Sequence, residues 1–174
     1  GTSTGGNVVL SGAPSLTGTS ATIYTGSLAG STGVVAAVGS GSGNFRYNSS
    51  QNTANYSLAL GTGLQAIYRE QPTYSSTATS AADITYGASA PVYTFTGAGQ
   101  NGDTALQALG AVAAVADDGL VSGAGKLKAG SHTLTVGGAV NQLGYALTYS
   151  TGTITVNQAN LAVGGLTAAN KTYD

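Results

Sequence analysis

The sequence predicts an all-β protein: two tandem antiparallel β-sandwich modules with one short helix, cut from a longer repeat array. Three observations predict it. Short runs rich in Val, Ile, Thr and Tyr alternate in twos and are broken by Gly, Ser or Asn every 8 to 12 residues or so, the signature of sandwiches and barrels. Two internal matches recur in the same order at nearly the same offset, and fixed-period self-similarity marks repeat architectures. The chain is also rich in glycine and almost chargeless, with 28 Gly in 174 residues and 6% charged residues, against averages of about 7% and about 25%.

The first match joins the two ends. Lys171-Thr-Tyr-Asp174 followed by Gly1-Thr2-Ser3 repeats the Thr-Tyr core of Ala81-Ala-Asp-Ile-Thr-Tyr86-Gly-Ala-Ser89, at an offset of 87 (173 − 86) in a chain of 174. In the second, Asn55-Tyr56-Ser-Leu58-Ala-Leu-Gly-Thr62-Gly63-Leu-Gln-Ala-Ile67 aligns with Gly144-Tyr145-Ala-Leu147-Thr-Tyr-Ser-Thr151-Gly152-Thr-Ile-Thr-Val156 at an offset of 89 (145 − 56). The expected boundaries are a first module over 1–72 that lacks its opening strand, a second over 73–159, and strands of a further module over 160–174. Both ends are expected to be cuts inside a repeat.

Strands are expected at Asn7 to Leu10, Ser20 to Thr25, Val34 to Val38, Phe45 to Tyr47, Tyr56 to Leu60 and Leu64 to Arg69. In the second module they fall at Asp83 to Tyr86, Val92 to Thr96, Ala111 to Ala116, Ser131 to Val136, Tyr145 to Tyr149 and Thr153 to Asn157. Thr133-Leu134-Thr135-Val136 and Thr153-Ile154-Thr155-Val156 alternate most cleanly, with the aliphatic residues facing a core and Thr facing outward. Gln71 to Ser80 reads as an inter-module junction, or as an extended strand. Asp103-Thr-Ala-Leu106-Gln-Ala-Leu109 reads as a short helix capped by Asp103, lying across an open end of the second sandwich. The two sandwiches are of the immunoglobulin-like or a related kind.

Charge excludes several partners. The formal net charge is −1, and Arg46, Arg69, Lys126, Lys128 and Lys171 are scattered, so there is no basic footprint for nucleic acid or anionic membrane. A near-neutral surface repels its neighbours weakly, which favours lateral bundling. Cys, Met and Trp are absent, so there is no disulfide, thiolate or easily oxidised sulfur. No apolar run approaches the roughly 20 residues of a membrane-spanning helix.

The expected binding residues are the strands left without a sheet. Asn160, Leu161 and Val163, then Lys171, Tyr173 and Asp174 read on into Gly1 and Thr2, are assigned to inter-module strand pairing. Unpaired strand edges recruit a strand from another chain, so copies are expected to join head to tail.

Other motifs read as structural. Gly97-Ala-Gly99-Gln-Asn-Gly102 after a strand, with Asp117 20 residues on (117 − 97), has dinucleotide-fingerprint spacing. The following helical stretch is too short for a parallel crossover, and Asn101-Gly102 reads instead as a tight hairpin turn. His132 is the only histidine and is expected at a solvated strand end. Asp117-Asp118-Gly119 offers oxygens to Ca²⁺ but reads as a turn. Tyr47, Tyr56, Tyr68, Tyr93, Tyr145, Tyr149 and Tyr173 are expected half-buried with their hydroxyls at the rim, or as faces on which sugars stack. No enzyme activity and no cofactor is expected.

Ile84-Thr-Tyr-Gly87-Ala-Ser-Ala-Pro-Val-Tyr-Thr-Phe95, Asn101-Gly-Asp-Thr104 and Tyr145 to Val156 together resemble the mostly-β, glycine-rich (MBG) repeat of large bacterial surface proteins. The joined ends, Lys171-Thr-Tyr-Asp174 then Gly1-Thr2, resemble the Tyr-Asp-Gly (YDG) repeat that alternates with it. Val34 to Pro72 is similar to segments of filamentous-haemagglutinin-like adhesins. The resemblance implies a secreted or cell-surface protein of a Gram-negative bacterium whose repeats form an extended stalk, filament or biofilm matrix. It implies no catalytic residues. A module that binds a glycan or host ligand is the alternative reading.

Overall fold

The computed structural model describes residues 5–12, 18–111, 113–165 and 167–170. The chain is mostly β with few helices, arranged in several small sheets.

Its elements are β1 (Ser20–Thr25), α1 (Val34–Val38), β2 (Phe45–Arg46), β3 (Gly63–Tyr68), β4 (Thr73–Ser80), β5 (Ile84–Thr85) and β6 (Tyr93–Thr96). A 3₁₀ turn (Gln100–Gly102), α2 (Ala105–Leu109), β7 (Ala114–Ala116), β8 (Gly130–Gly137), β9 (Ala146–Ser150) and β10 (Gly152–Asn157) follow.

The first sheet, in order β1-β3-β2, is parallel throughout, with Ser20 beside Gly63 and Phe45 beside Ala66. This corrects the antiparallel sandwich expected for residues 1–72. Parallel neighbours need a long crossover, and residues 26–62 supply it between β1 and β3, with α1 in its path. Val34 to Val38, expected as a strand, is that helix: Gly33 and Gly39 flank it at φ 76° and 96°, and the Ala37 and Gly39 amides bond back to the Gly33 and Val35 carbonyls. Two other expected strands are irregular because their backbone groups bond elsewhere. Around Tyr56 to Leu60, the Ser57 and Leu58 amides both donate to the Gln142 carbonyl. Near the start, the Leu10 amide reaches Thr32 O and the Val8 amide reaches Thr25 Oγ1.

Residues 73–80 are β4, the central strand of the sheet β6-β4-β9, so the expected junction is a strand. Its alternation is complete: Tyr74, Ser76 and Ala78 are buried, while Thr73, Ser75 and Thr77 face solvent. β4 runs antiparallel to β6 and parallel to β9. The remaining sheet, β5-β10-β8-β7, joins β8 antiparallel to both β10 and β7 and sets β5 parallel to β10. Here the expected alternation is met, for Leu134, Ile154 and Val156 are buried and Thr133, Thr135, Thr153 and Thr155 exposed. Leu134 and Ile154 pack on Ala78 of β4, so these two sheets face each other across a small core.

The larger core lies between the two halves. Phe45, Tyr47 and Tyr68 pack with Tyr74, Ala108, Leu109, Leu143 and Tyr145, drawing buried side chains from both sides of residue 72. α2 contributes Ala108 and Leu109 to it, rather than lying across an open end. Its N-cap is Thr104, not Asp103: the Thr104 hydroxyl accepts the Gln107 amide and the Gln107 side chain accepts the Thr104 amide, a capping box.

Candidate functional site

Of the residues assigned to strand pairing, Asn160, Leu161 and Val163 are described. They lie beyond β10 in no strand, with Leu161 89% and Val163 68% exposed. Lys171, Tyr173, Asp174, Gly1 and Thr2 lie outside the described residues. Before the tail, β5 pairs with the last two residues of β10, Ile84 beside Val156 and Thr85 beside Asn157, and the Tyr86 amide donates to the Asn157 carbonyl. The chain then leaves its sheet.

The densest polar chemistry is buried at the seam between the halves. β2 runs into Tyr47, the 3₁₀ turn delivers Asp103, and Tyr145 immediately precedes β9. The Tyr47 and Tyr145 hydroxyls both donate to Asp103 Oδ2, at 2.6 and 2.8 Å. The Gln100 amide donates to the Tyr145 oxygen at 2.7 Å, and Asn101 Nδ2 to the Tyr47 oxygen at 3.2 Å. Asp103 Oδ1 has no hydrogen-bond partner. Burial pushes the Asp103 carboxyl above its ordinary range, while the two hydroxyls and Arg46 pull it back. Burial also raises both phenols, helped for Tyr47 by the Asp103 charge.

These rings belong to a ladder. Tyr68 stacks on Tyr47 at 5.8 Å between centroids, Tyr47 meets Tyr145 at 4.5 Å, and Tyr145 meets Tyr74 edge-on at 5.7 Å. Tyr47, Tyr68 and Tyr145 are thus fully buried, which corrects the expectation of half-buried, sugar-accessible faces for them. Beside the ladder Arg46 is buried too. Its guanidinium donates to the carbonyls of Leu58, Gly43, Phe45 and Ala59 and lies over the Tyr56 ring. In the sequence Arg46 is one of five scattered cations and Asp103 reads as a helix cap, and neither reading shows that both are buried at this seam.

The glycines of the fingerprint-like stretch are filled by their own chain. A Cβ at Gly97 would lie 2.7 Å from the Tyr74 ring, one at Gly99 2.7 Å from the Asp103 carbonyl, and one at Gly102 2.7 Å from the Gly41 amide. Asn101, at φ 54°, sits in the 3₁₀ turn leading to α2, not in a hairpin.

His132 is 2% exposed, not solvated at a strand end. Its Nε2 lies 2.7 Å from the Lys128 carbonyl and its Nδ1 2.8 Å from Asp118 Oδ1. Both neighbours accept only, so the ring satisfies both by carrying two protons. The Asp118 bond accordingly raises the His132 pKa, and the same bond holds Asp118 below the carboxylate range.

The oxygens considered for Ca²⁺ are engaged within the chain. Asp117 accepts the Tyr93 hydroxyl and the Gly119 amide, and Asp118 accepts His132 and the Leu120 and Thr133 amides. Burial and the bond to Asp117 push the Tyr93 phenol up to about 12. Among the described residues, no group of three or more His, Asp or Glu side chains is placed to hold a metal ion. Two open cavities flank this region, one of about 330 Å³ bordered by Asp117 and Lys126, the other of about 400 Å³ bordered by Tyr86, Lys128 and Gln158. Among the described residues, no helix is long and apolar enough to cross a membrane.

Comparison with family models, with curated proteins and with solved structures finds no match to the chain.

Proposed function

We propose that this chain is a structural segment of an extracellular adhesin, fibre or filament on the surface of a Gram-negative bacterium, a piece of stalk, sheath or biofilm matrix. Copies join head to tail, by strand complementation or by continuity of the chain, and the near-neutral surface lets fibres bundle. The observation that carries this reading is the segment after β10. Leu161 and Val163 stand two residues apart, a spacing that puts both on one face of an extended strand, and both are exposed, with no sheet covering them among the described residues.

Head-to-tail concatemers of two, four and eight copies test it. In small-angle scattering the maximum dimension of a stalk grows in proportion to copy number, and images show strings with a regular repeat. Compact particles that grow only with the cube root of copy number would overturn the reading. For the single chain, Leu161→Lys with Val163→Lys lowers self-association in sedimentation if strand addition is the joint.

A glycan-binding module is the second reading. Tyr86, 38% exposed, borders the larger cavity together with Ser122, Lys128 and Gln158, a ring beside polar groups of the kind that stack and hydrogen-bond a sugar. Saturable binding on a glycan array, lost in Tyr86→Ala, would favour it.

A further inference from the structure

The tyrosine pair at the seam is built for chemistry that neither reading requires. We infer that Tyr47 and Tyr145 are a site of oxidative coupling, at which a one-electron oxidant of the peroxidase or metal-complex class joins the two rings into an intramolecular dityrosine.

Three observations carry it. The rings are in van der Waals contact, 4.5 Å between centroids with 49° between planes. Their hydroxyls converge on a single oxygen, Asp103 Oδ2, at 2.6 and 2.8 Å, so the hydroxyl ends of the two rings lie together. The carboxylate is also the proton acceptor that oxidation of a buried phenol needs. A phenol gives up an electron easily only when its proton can leave with it, and burial has already made Asp103 more basic than an exposed aspartate. The neighbouring ring lacks this arrangement, for the buried Tyr74 hydroxyl has no hydrogen-bond partner.

The balance is simple. One ring loses an electron to the oxidant and its phenolic proton to the buried Asp103 carboxylate, which must pass that proton to water before it serves the second ring. The second ring does the same. The two radicals form one carbon–carbon bond between ortho positions, and each ortho hydrogen then moves to its oxygen, restoring both phenols. In sum, two electrons pass to two equivalents of oxidant and two protons to water. Tyr68 and Tyr74, the rings next to the pair, hold no carboxylate to take their protons, so the oxidising hole passes directly to the pair. With no Cys, Met or Trp in the chain, no sulfur or indole competes for it. The product ties residue 47 to residue 145, a staple of the kind a disulfide provides by closing a long loop.

The test is photo-oxidation of the folded 174-residue chain with ruthenium tris-bipyridyl and persulfate. Expected are dityrosine fluorescence, a monomer lighter by two hydrogens, a cross-linked peptide pair containing Tyr47 and Tyr145, and a higher urea midpoint after coupling. Peptide mapping of the wild-type chain needs no variant to fold. Tyr47→Phe and Tyr145→Phe, checked for native circular dichroism, should each abolish this cross-link, Tyr149→Phe at an exposed ring should leave it, and Asp103→Asn should slow it at least tenfold. Cross-links confined to exposed rings such as Tyr86 and Tyr149, products only between chains, or a yield indifferent to Tyr47→Phe would overturn the inference. An unchanged rate in Asp103→Asn would remove the carboxylate from it.

Discussion

Tyr145→Phe deletes one oxygen that serves two hydrogen bonds, donating to Asp103 Oδ2 at 2.8 Å and accepting the Gln100 amide at 2.7 Å. A hydrogen bond to a charged group contributes about 1.5–3 kcal/mol, and an orphaned amide adds about 1 kcal/mol. The expected loss is therefore about 2.5–4 kcal/mol. In Tyr47→Phe the donor to Asp103 is lost, but the other partner is the side-chain amide of Asn101, which can turn to another acceptor where the backbone amide of Gln100 is fixed, so the loss stays near 1.5–3 kcal/mol. The double variant should cost less than the sum. With both donors gone, Asp103 takes up a proton, and the buried charge that made each single change expensive disappears. Urea unfolding followed by tyrosine fluorescence gives all three values, since no tryptophan obscures the signal. At about 2–4 °C per kcal/mol for a chain of this size, Tyr145→Phe should lower Tm by roughly 5–15 °C. A Tyr145→Phe chain within about 0.5 kcal/mol of wild type, or one more stable than Tyr47→Phe, would refute the reasoning.

Three further outcomes are expected. The raised His132 pKa makes its contribution complete below about pH 6.5 and lost as pH rises through the folded value, while the lowered Asp118 pKa makes its contribution present above about pH 3.9 and lost as pH falls through the folded value. The clasp is thus at full strength between roughly pH 4 and 6.5, and His132→Gln should flatten the alkaline decline in Tm; parallel profiles for the two chains would count against it. The raised Asp103 pKa gives a separate decline that begins at lower pH and is common to both chains, so their difference isolates His132. Gly144→Ala should prevent folding, because its Cβ would stand 2.2 Å from the Tyr47 carbonyl oxygen with φ at 98°, whereas Gly119→Ala, at φ 68° in open space, should cost only about 1–2 kcal/mol of left-handed strain; equal urea midpoints would contradict the contact. A fragment of residues 73–174 leaves Tyr74, Leu109 and Tyr145 without Phe45, Tyr47 and Tyr68, so it should bind a hydrophobic dye and unfold broadly; a sharp transition like that of the whole chain would make the two halves independent.

Alternation is legible in the sequence where an element has one wet face. β8, β10 and β6 alternate because each buries one side only, and the helix before Gly110 announced itself by its helix formers. β3 was expected as a strand at Leu64 to Arg69, but its parallel setting was not legible: Gln65, Ala66, Ile67 and Tyr68 are all buried in succession, the mark of a strand covered on both faces in a parallel sheet. α1 was hidden by composition, as Val-Val-Ala-Ala-Val favours a strand by propensity and its helical state is set by Gly33 and Gly39 on either side. The seam was illegible for a different reason. Tyr47 and Tyr145 stand 56 and 42 residues from Asp103, and His132 stands 14 from Asp118. No local pattern encodes such pairs, which exist only once crossovers and turns have brought the strands together.

Glycine and tyrosine also turn out to be one feature of the chain rather than two. The sequence presents its glycines as punctuation between strands, yet Gly144 lies against the Tyr47 backbone, Gly97 against the Tyr74 ring, and Gly99 against Asp103 and the Tyr145 hydroxyl. A core of buried tyrosines needs the backbone to approach closely enough to meet both rings and hydroxyls, and only residues without a Cβ allow it. That requirement also limits how far the internal match extends into structure. At the offset of 89, Gly63 and Gly152 both open six-residue strands, β3 and β10. The aligned tyrosines, however, differ in role: Tyr145 is locked in the ladder, while Tyr56 lies outside it under the Arg46 guanidinium. At the aligned positions, then, the strand starts coincide and the roles of the two tyrosines differ.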